Sequence, residues 1–152
     1  MTNDPNNTEL IGHRRTKVSE FLVSLPIADR RRSADFYRDA FGFDPVGAPT
    51  EDGLPEPLQY QLGEQTLLAL IPSDGLDWVL GDRRLAPPQV SECLLGMTVE
   101  TAHDVDGLVD RVRLAGGEVI SAPGQQDWGY TAICTDVDGH AWQITTESGT
   151  ET

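Results

Sequence analysis

The stretch EFLVSLPIADRRRSADFYRDAFGFDPV, Glu20–Val46, reads as a strand running into a capped helix. Phe21, Val23, Leu25 and Ile27 alternate with Leu22, Ser24 and Pro26, the period-2 pattern of a strand with two unlike faces. Asp29 stands where a carboxylate caps the first free amides of a helix. Ala34, Tyr37 and Phe41 then recur at helical spacing, and Gly42 supplies the stop. Strand candidates follow near 44–48, 58–62 and 66–71, so the spacing predicts a unit of order βαβββ.

The same order returns in the second half. ECLLGMTVE, Glu92–Glu100, predicts a strand with Leu95, Met97 and Val99 on one face. TAHD, Thr101–Asp104, fits a capping box, in which a hydroxyl and a carboxylate three residues apart satisfy each other's orphan amides. Val105, Leu108, Val109 and Val112 form the apolar stripe of the next helix, and Gly116-Gly117 stops it. EVISA, YTAICTD and HAWQITT supply three further strands. Ile27 matches Val99 in this alignment and Ala69 matches Gln143, a slightly longer helix exit absorbing the difference. Two such halves predict an α+β domain over residues 19–147, with modules at about 19–72 and 91–147. Residues 73–90, rich in Pro, Gly and Asp, are expected to form a surface linker, and the polar ends 1–18 and 148–152 disordered tails.

Composition narrows the function classes. The chain of 152 residues carries a net charge of −14. Nucleic acids and anionic membranes are bound through Lys and Arg that release counterions, so neither is an expected partner. No apolar run approaches the roughly 20 residues that span a bilayer, and the N-terminus lacks the apolar core of a signal peptide. A cytoplasmic protein is the expectation. Cys93 and Cys134 lie in strand-like runs without metal or redox spacing and are expected to be buried free thiols. His13 falls in the N-terminal tail and His103 at a helix start, both expected in solvent.

LPIADRRRSADFYRDAFGF and the closing TDVDGHAWQI resemble the opening and the last hairpin of the vicinal oxygen chelate superfamily. That superfamily includes glyoxalase I, extradiol dioxygenases and bleomycin-resistance proteins. The resemblance implies a cup-shaped, half-open barrel built from the two modules, with the ligand in the cup, and a homodimer. In its enzymes four cup-facing positions hold a metal. They fall here on Leu22, Ala69, Leu94 and Gln143, and their neighbours are Ser24, Leu67, Gly96, Thr98 and Ala141. None of these is His, Asp, Glu or Cys. A divalent ion needs three or four N, O or S donors at roughly 2 Å, so one amide oxygen among aliphatic groups leaves no metal expected. His140 is three residues from Gln143, which puts it on the opposite strand face.

The larger odd-numbered face of the first strand suits packing beneath the helix. Leu22, Ser24, Gly96 and Thr98 suit a cavity that stays open. The candidate ligand-binding residues are Gln143, Ser24 and Thr98, with Tyr60, Trp78, Trp128 and Tyr130 as aromatic surfaces for a planar guest. Metal-free members of the family sequester antibiotics that are aromatic and often cationic. The expected function is therefore metal-independent, cofactor-free binding of a small aromatic or cationic molecule, as in bleomycin-type antibiotic resistance. The alternatives are a glyoxalase-like lyase or isomerase, or a dioxygenase, with a divalent metal, or a self-filled cup that acts through a protein partner. No GxSxG, HExxH or phosphate-cradling glycine loop is present.

Overall fold

The computed structural model describes residues 16–147, so the expected tails and His13 lie largely or wholly outside the described residues. The first module comprises β1 (Phe21–Ile27), α1 (Arg30–Phe36) with a π-helical continuation (Tyr37–Phe41), β2 (Leu58–Gly63) and β3 (Thr66–Pro72). A helix α2 (Ser73–Leu80) follows. The second module comprises β4 (Leu95–Val99), α3 (Ala102–Ala115), β5 (Val119–Gln126), β6 (Gly129–Thr135) and β7 (Ala141–Thr146).

The two sheets have matching topology. The first runs β1-β3-β2 and the second β4-β7-β6-β5, with the first strand of each module parallel to its last. Neither sheet closes on itself. The caps form as the sequence dictates. Asp29 accepts from Arg32 N, Thr101 and Asp104 complete their box, and Gly42 and Gly116 take the left-handed conformation that ends each helix.

Two expectations are corrected. Residues 44–48 form no strand: Val46 N donates to Gln59 O at 2.9 Å, but Pro45 has no N–H and Gly47 turns the chain to φ +110. The segment 73–90 is not all linker, because Ser73–Leu80 is helical and buries Leu76.

One apolar core serves both modules. Leu25, Ile27, Leu58, Leu68 and Leu70 of the first sheet join Phe36 and Tyr37, then meet Val105, Val109 and Val112 of α3 and Trp142 and Ile144 of β7. The odd-numbered face of β1 therefore lies under the helices, fading from buried Ile27 to exposed Phe21. Leu22, Ser24, Gly96, Thr98 and Gln143 share the opposite phase, with Ser24 beside Ala69 and Gly96 beside Gln143.

Candidate functional site

The turn that joins β6 to β7, Asp136–His140, staples the modules together. Asp138 Oδ1 accepts from Ala28 N at 3.0 Å and its Oδ2 from Ser33 Oγ at 2.9 Å. Asp136 Oδ2 accepts from the Tyr37 hydroxyl at 2.5 Å, and Tyr37 in turn accepts from Trp142 Nε1 at 3.1 Å. The other Asp136 oxygen takes the amides of Asp138 and His140, each at 2.9 Å. Burial raises the Asp136 carboxyl above its ordinary value, although the neighbouring His140 and the Tyr37 hydroxyl work against that shift. Burial, then the adjacent Asp136 charge, holds the Tyr37 hydroxyl well above its usual range.

His140 belongs to this joint as well. Its Nε2 lies 2.6 Å from the Pro26 carbonyl, an acceptor only, so that nitrogen carries the proton. The proton is committed to the backbone of β1, and Nε2 is closed to a metal.

Beside the joint opens a cavity of about 490 Å³, within the range of small-molecule sites. Its floor is β1, with Ser24 and Pro26, and one wall is Leu76 and Leu80 of α2. The strap of residues 83–93 forms the other side and reaches the start of β7 at His140. The strap sits on the joint at Gly139 (φ +93), where a Cβ would come within 3.0 Å of Gln89. The walls are mostly aliphatic and proline, and their charged groups are Arg83, Arg84, Glu92 and Asp138.

The structure divides the sequence candidates. Ser24 lines the cavity, half-buried. Gln143 and Thr98 lie on the open face of the second sheet, outside it. Tyr60 is a core residue, tilted against Tyr37 and Phe43, and burial pushes its hydroxyl up to about 12. Tyr130 points to the helix side and donates to Asp106 on α3 at 2.8 Å. Trp128 is exposed at the β5–β6 turn, and Trp78 projects from α2 into solvent. The expected aromatic cluster is thus not assembled within one chain. What the sequence reading missed is the strap; its apolar Leu85 and Val90 among the linker's prolines were the available signal.

The cysteines also separate, against the expectation that both are buried. Cys93 is exposed at the cavity, whereas Cys134 is buried in β6 and its thiol is pushed up to about 11, by burial and then by the Asp136 charge. A disulfide-exchange reagent at neutral pH should modify Cys93 quickly and leave Cys134 untouched until the chain is denatured. Rapid labelling of both in the folded protein would contradict this placement.

The four positions that hold a metal in related enzymes do not fit one here. Leu22, Ala69 and Leu94 offer carbon, and Gln143 a single neutral oxygen. Among the described residues no group of three or more His, Cys, Asp or Glu converges. Likewise, no described helix is long and apolar enough to cross a membrane.

Comparison with known proteins agrees with this architecture. Hypothetical protein SA1046 from S. aureus is 27% identical, with a TM-score of 0.72 over 91% of this chain and 99% of that one. A glyoxalase-related enzyme from Fulvimarina pelagi gives the same identity of 27% and TM-score of 0.72, over 84% of this chain and 86% of its own. TnmS3, an antibiotic binding protein from Streptomyces sp. CB03234, is 27% identical with a TM-score of 0.58, over 90% of this chain and 99% of its own. A search of the curated proteins gives no match. The family model for the Glyoxalase/Bleomycin resistance protein/Dioxygenase superfamily spans residues 21–144, and the chain belongs to that superfamily.

Proposed function

We propose that this protein binds a small aromatic molecule in the cavity beneath the strap, without a metal, and that it serves to sequester an antibiotic. The observation that carries the reading is the chemistry of the cavity: aliphatic walls with a few charged groups, and no constellation of donors for an ion among the described residues. Similarity to an antibiotic binding protein supports it. Burying about 200 Å² of apolar guest at about 25 cal/mol per Å² yields roughly 5 kcal/mol before the costs of association. That corresponds to a dissociation constant no better than about 0.2 mM, so tighter binding requires polar contacts as well.

Titration with bleomycin-type glycopeptides, mitomycins, anthraquinones and enediynes, read by tryptophan fluorescence, tests the proposal. Calorimetry reads the same titrations directly, because Trp78 and Trp128 are exposed and stand outside the cavity lining. At least one class should give a saturable change, and a flat response across the panel would remove the reading. Elemental analysis separates it from the metalloenzyme alternative. Stoichiometric nickel, zinc or iron surviving dialysis would overturn metal-free binding.

We also propose that the protein is a homodimer. β1 and β4 are sheet edges, and Phe21, Leu22 and Leu94 along or beside them are exposed. Unpaired edges flanked by apolar side chains are usually covered, and a second copy would cover both. Sedimentation equilibrium should return twice the chain mass, and the Leu22→Lys and Leu94→Lys pair should halve it. A single-chain mass for the parent protein would refute this.

A further inference from the structure

Eight arginines lie among the described residues, and six of them are engaged. Arg30 pairs with Asp52 and Glu56, Arg31 and Arg38 with Asp35, and Arg113 with Asp110. Arg32 and Arg111 donate to the carbonyls of Val137 and Ala40. Arg83 and Arg84 remain, consecutive on the strap and both lining the cavity, with no side-chain partner among the described residues. In a protein of net charge −14, acidic partners are plentiful, so two uncommitted guanidinium groups at one mouth stand out.

We infer that the guest of this cavity carries an oxyanion, a carboxylate or a sulfate or phosphate ester, on its apolar body, and that Arg83 and Arg84 hold it. The inference rests on the binding function proposed above and names the charge of its ligand. The planar fork of an arginine matches two oxygens of such a group at once. Aliphatic walls at Leu76, Leu80 and Leu85 would take the rest of the molecule.

The acidity of the whole chain favours a cation instead, and distance decides between the two effects. Charges farther apart than about 8 Å are largely screened at physiological ionic strength, so the groups on the wall outweigh the distant carboxylates. Of the two acids on the wall, Asp138 already accepts from Ala28 N and Ser33 Oγ. Glu92 on the wall, and Asp82 next to Arg83 in the chain, are the carboxylates left to oppose an anion there.

Three probes of one skeleton provide the test: 1-naphthoate, 1-naphthylmethanol and 1-naphthylmethylammonium, titrated calorimetrically into the full chain. The anion should bind tightest and the cation weakest, with added salt weakening the anion alone. Arg83→Gln with Arg84→Gln should lower naphthoate affinity by about tenfold or more and naphthylmethanol affinity by much less, so that the ratio of the two falls. Arg83→Glu with Arg84→Glu should reverse the preference toward the ammonium. Both positions are exposed, so the fold is not at stake. If naphthylmethanol binds but naphthoate binds no tighter, or if the double glutamine variant keeps full naphthoate affinity, the anion inference alone fails. If none of the three probes binds, the cavity reading fails and carries this inference with it.

Discussion

Gly117→Ala is expected to cost about 3 kcal/mol or more, lowering the thermal midpoint by roughly 6–12 °C or beyond for a domain of this size. A Cβ at Gly117 would sit 2.1 Å from the Thr135 carbonyl oxygen, 2.6 Å from Val112 Cγ1 and 3.0 Å from Phe36 Cε1. The first of these atoms is backbone in a paired strand and cannot rotate away. The neighbouring Gly116 has a different requirement. Its φ of +105 demands a left-handed residue, while the space around it is less tight, with Val137 Cγ1 at 3.3 Å. Gly116→Ala should therefore cost about 1–2 kcal/mol, mainly as backbone strain. Circular dichroism melts of the two variants check the order. A Gly117→Ala midpoint at or above that of Gly116→Ala would show that the chain leaving α3 does not lie against Thr135 of β6.

The second large effect is expected at Asp136. Asp136→Ala removes the acceptor of two backbone amides and of the Tyr37 hydroxyl in a buried site, a loss of about 3–5 kcal/mol. Tyr37→Phe removes one of those bonds and also strips Trp142 Nε1 of its acceptor. The double variant should be less damaged than the sum of the singles, since they share a bond. Acidity adds a signature. The folded carboxyl titrates above its unfolded value, so its contribution is fully present below the ordinary carboxylate pKa. It declines as pH rises through the raised one. The stability gap between the parent and Asp136→Asn should therefore narrow as pH rises from strongly acidic toward neutral. Denaturant melts at several pH values decide it, and a gap that widens over that window would mean the carboxyl is not desolvated.

Much of the fold was legible because its signals are local. Alternation fixed β1 and β4, the caps at Asp29 and Thr101 fixed the helix starts, and the repeated element order fixed the two modules. The strand expected at 44–48 does not form because Pro45 and Gly47 break a ladder. Helix α2 was missed because Gly75 and Asp74 look like a turn until Leu76 finds the core.

The candidate site was less legible. Aromatic chemistry alone does not say which face a ring takes, and phase assigned Tyr60 better than type did: it alternates with Gln59 and Gln61 and shares the buried face of Leu58. No local pattern could reveal that Tyr37 meets Asp136 or that His140 meets Pro26, contacts between residues 99 and 114 positions apart. The same separation hid the strap, whose significance depends on β1 and the β6–β7 turn lying beneath it.

The stapling turn bears on how this duplicated chain has diverged. In the alignment that matches Ile27 to Val99, Ser33 matches Val105 and Tyr37 matches Val109, both apolar core residues. The turn of the first module, between β2 and β3, carries Glu64 and Gln65 rather than paired aspartates. One half has thus become the donor of the staple and the other its receiver. A tandem of two first modules would lack the aspartates, and a tandem of two second modules would bury them against valines. The halves still share a common plan, but neither can now stand in for the other.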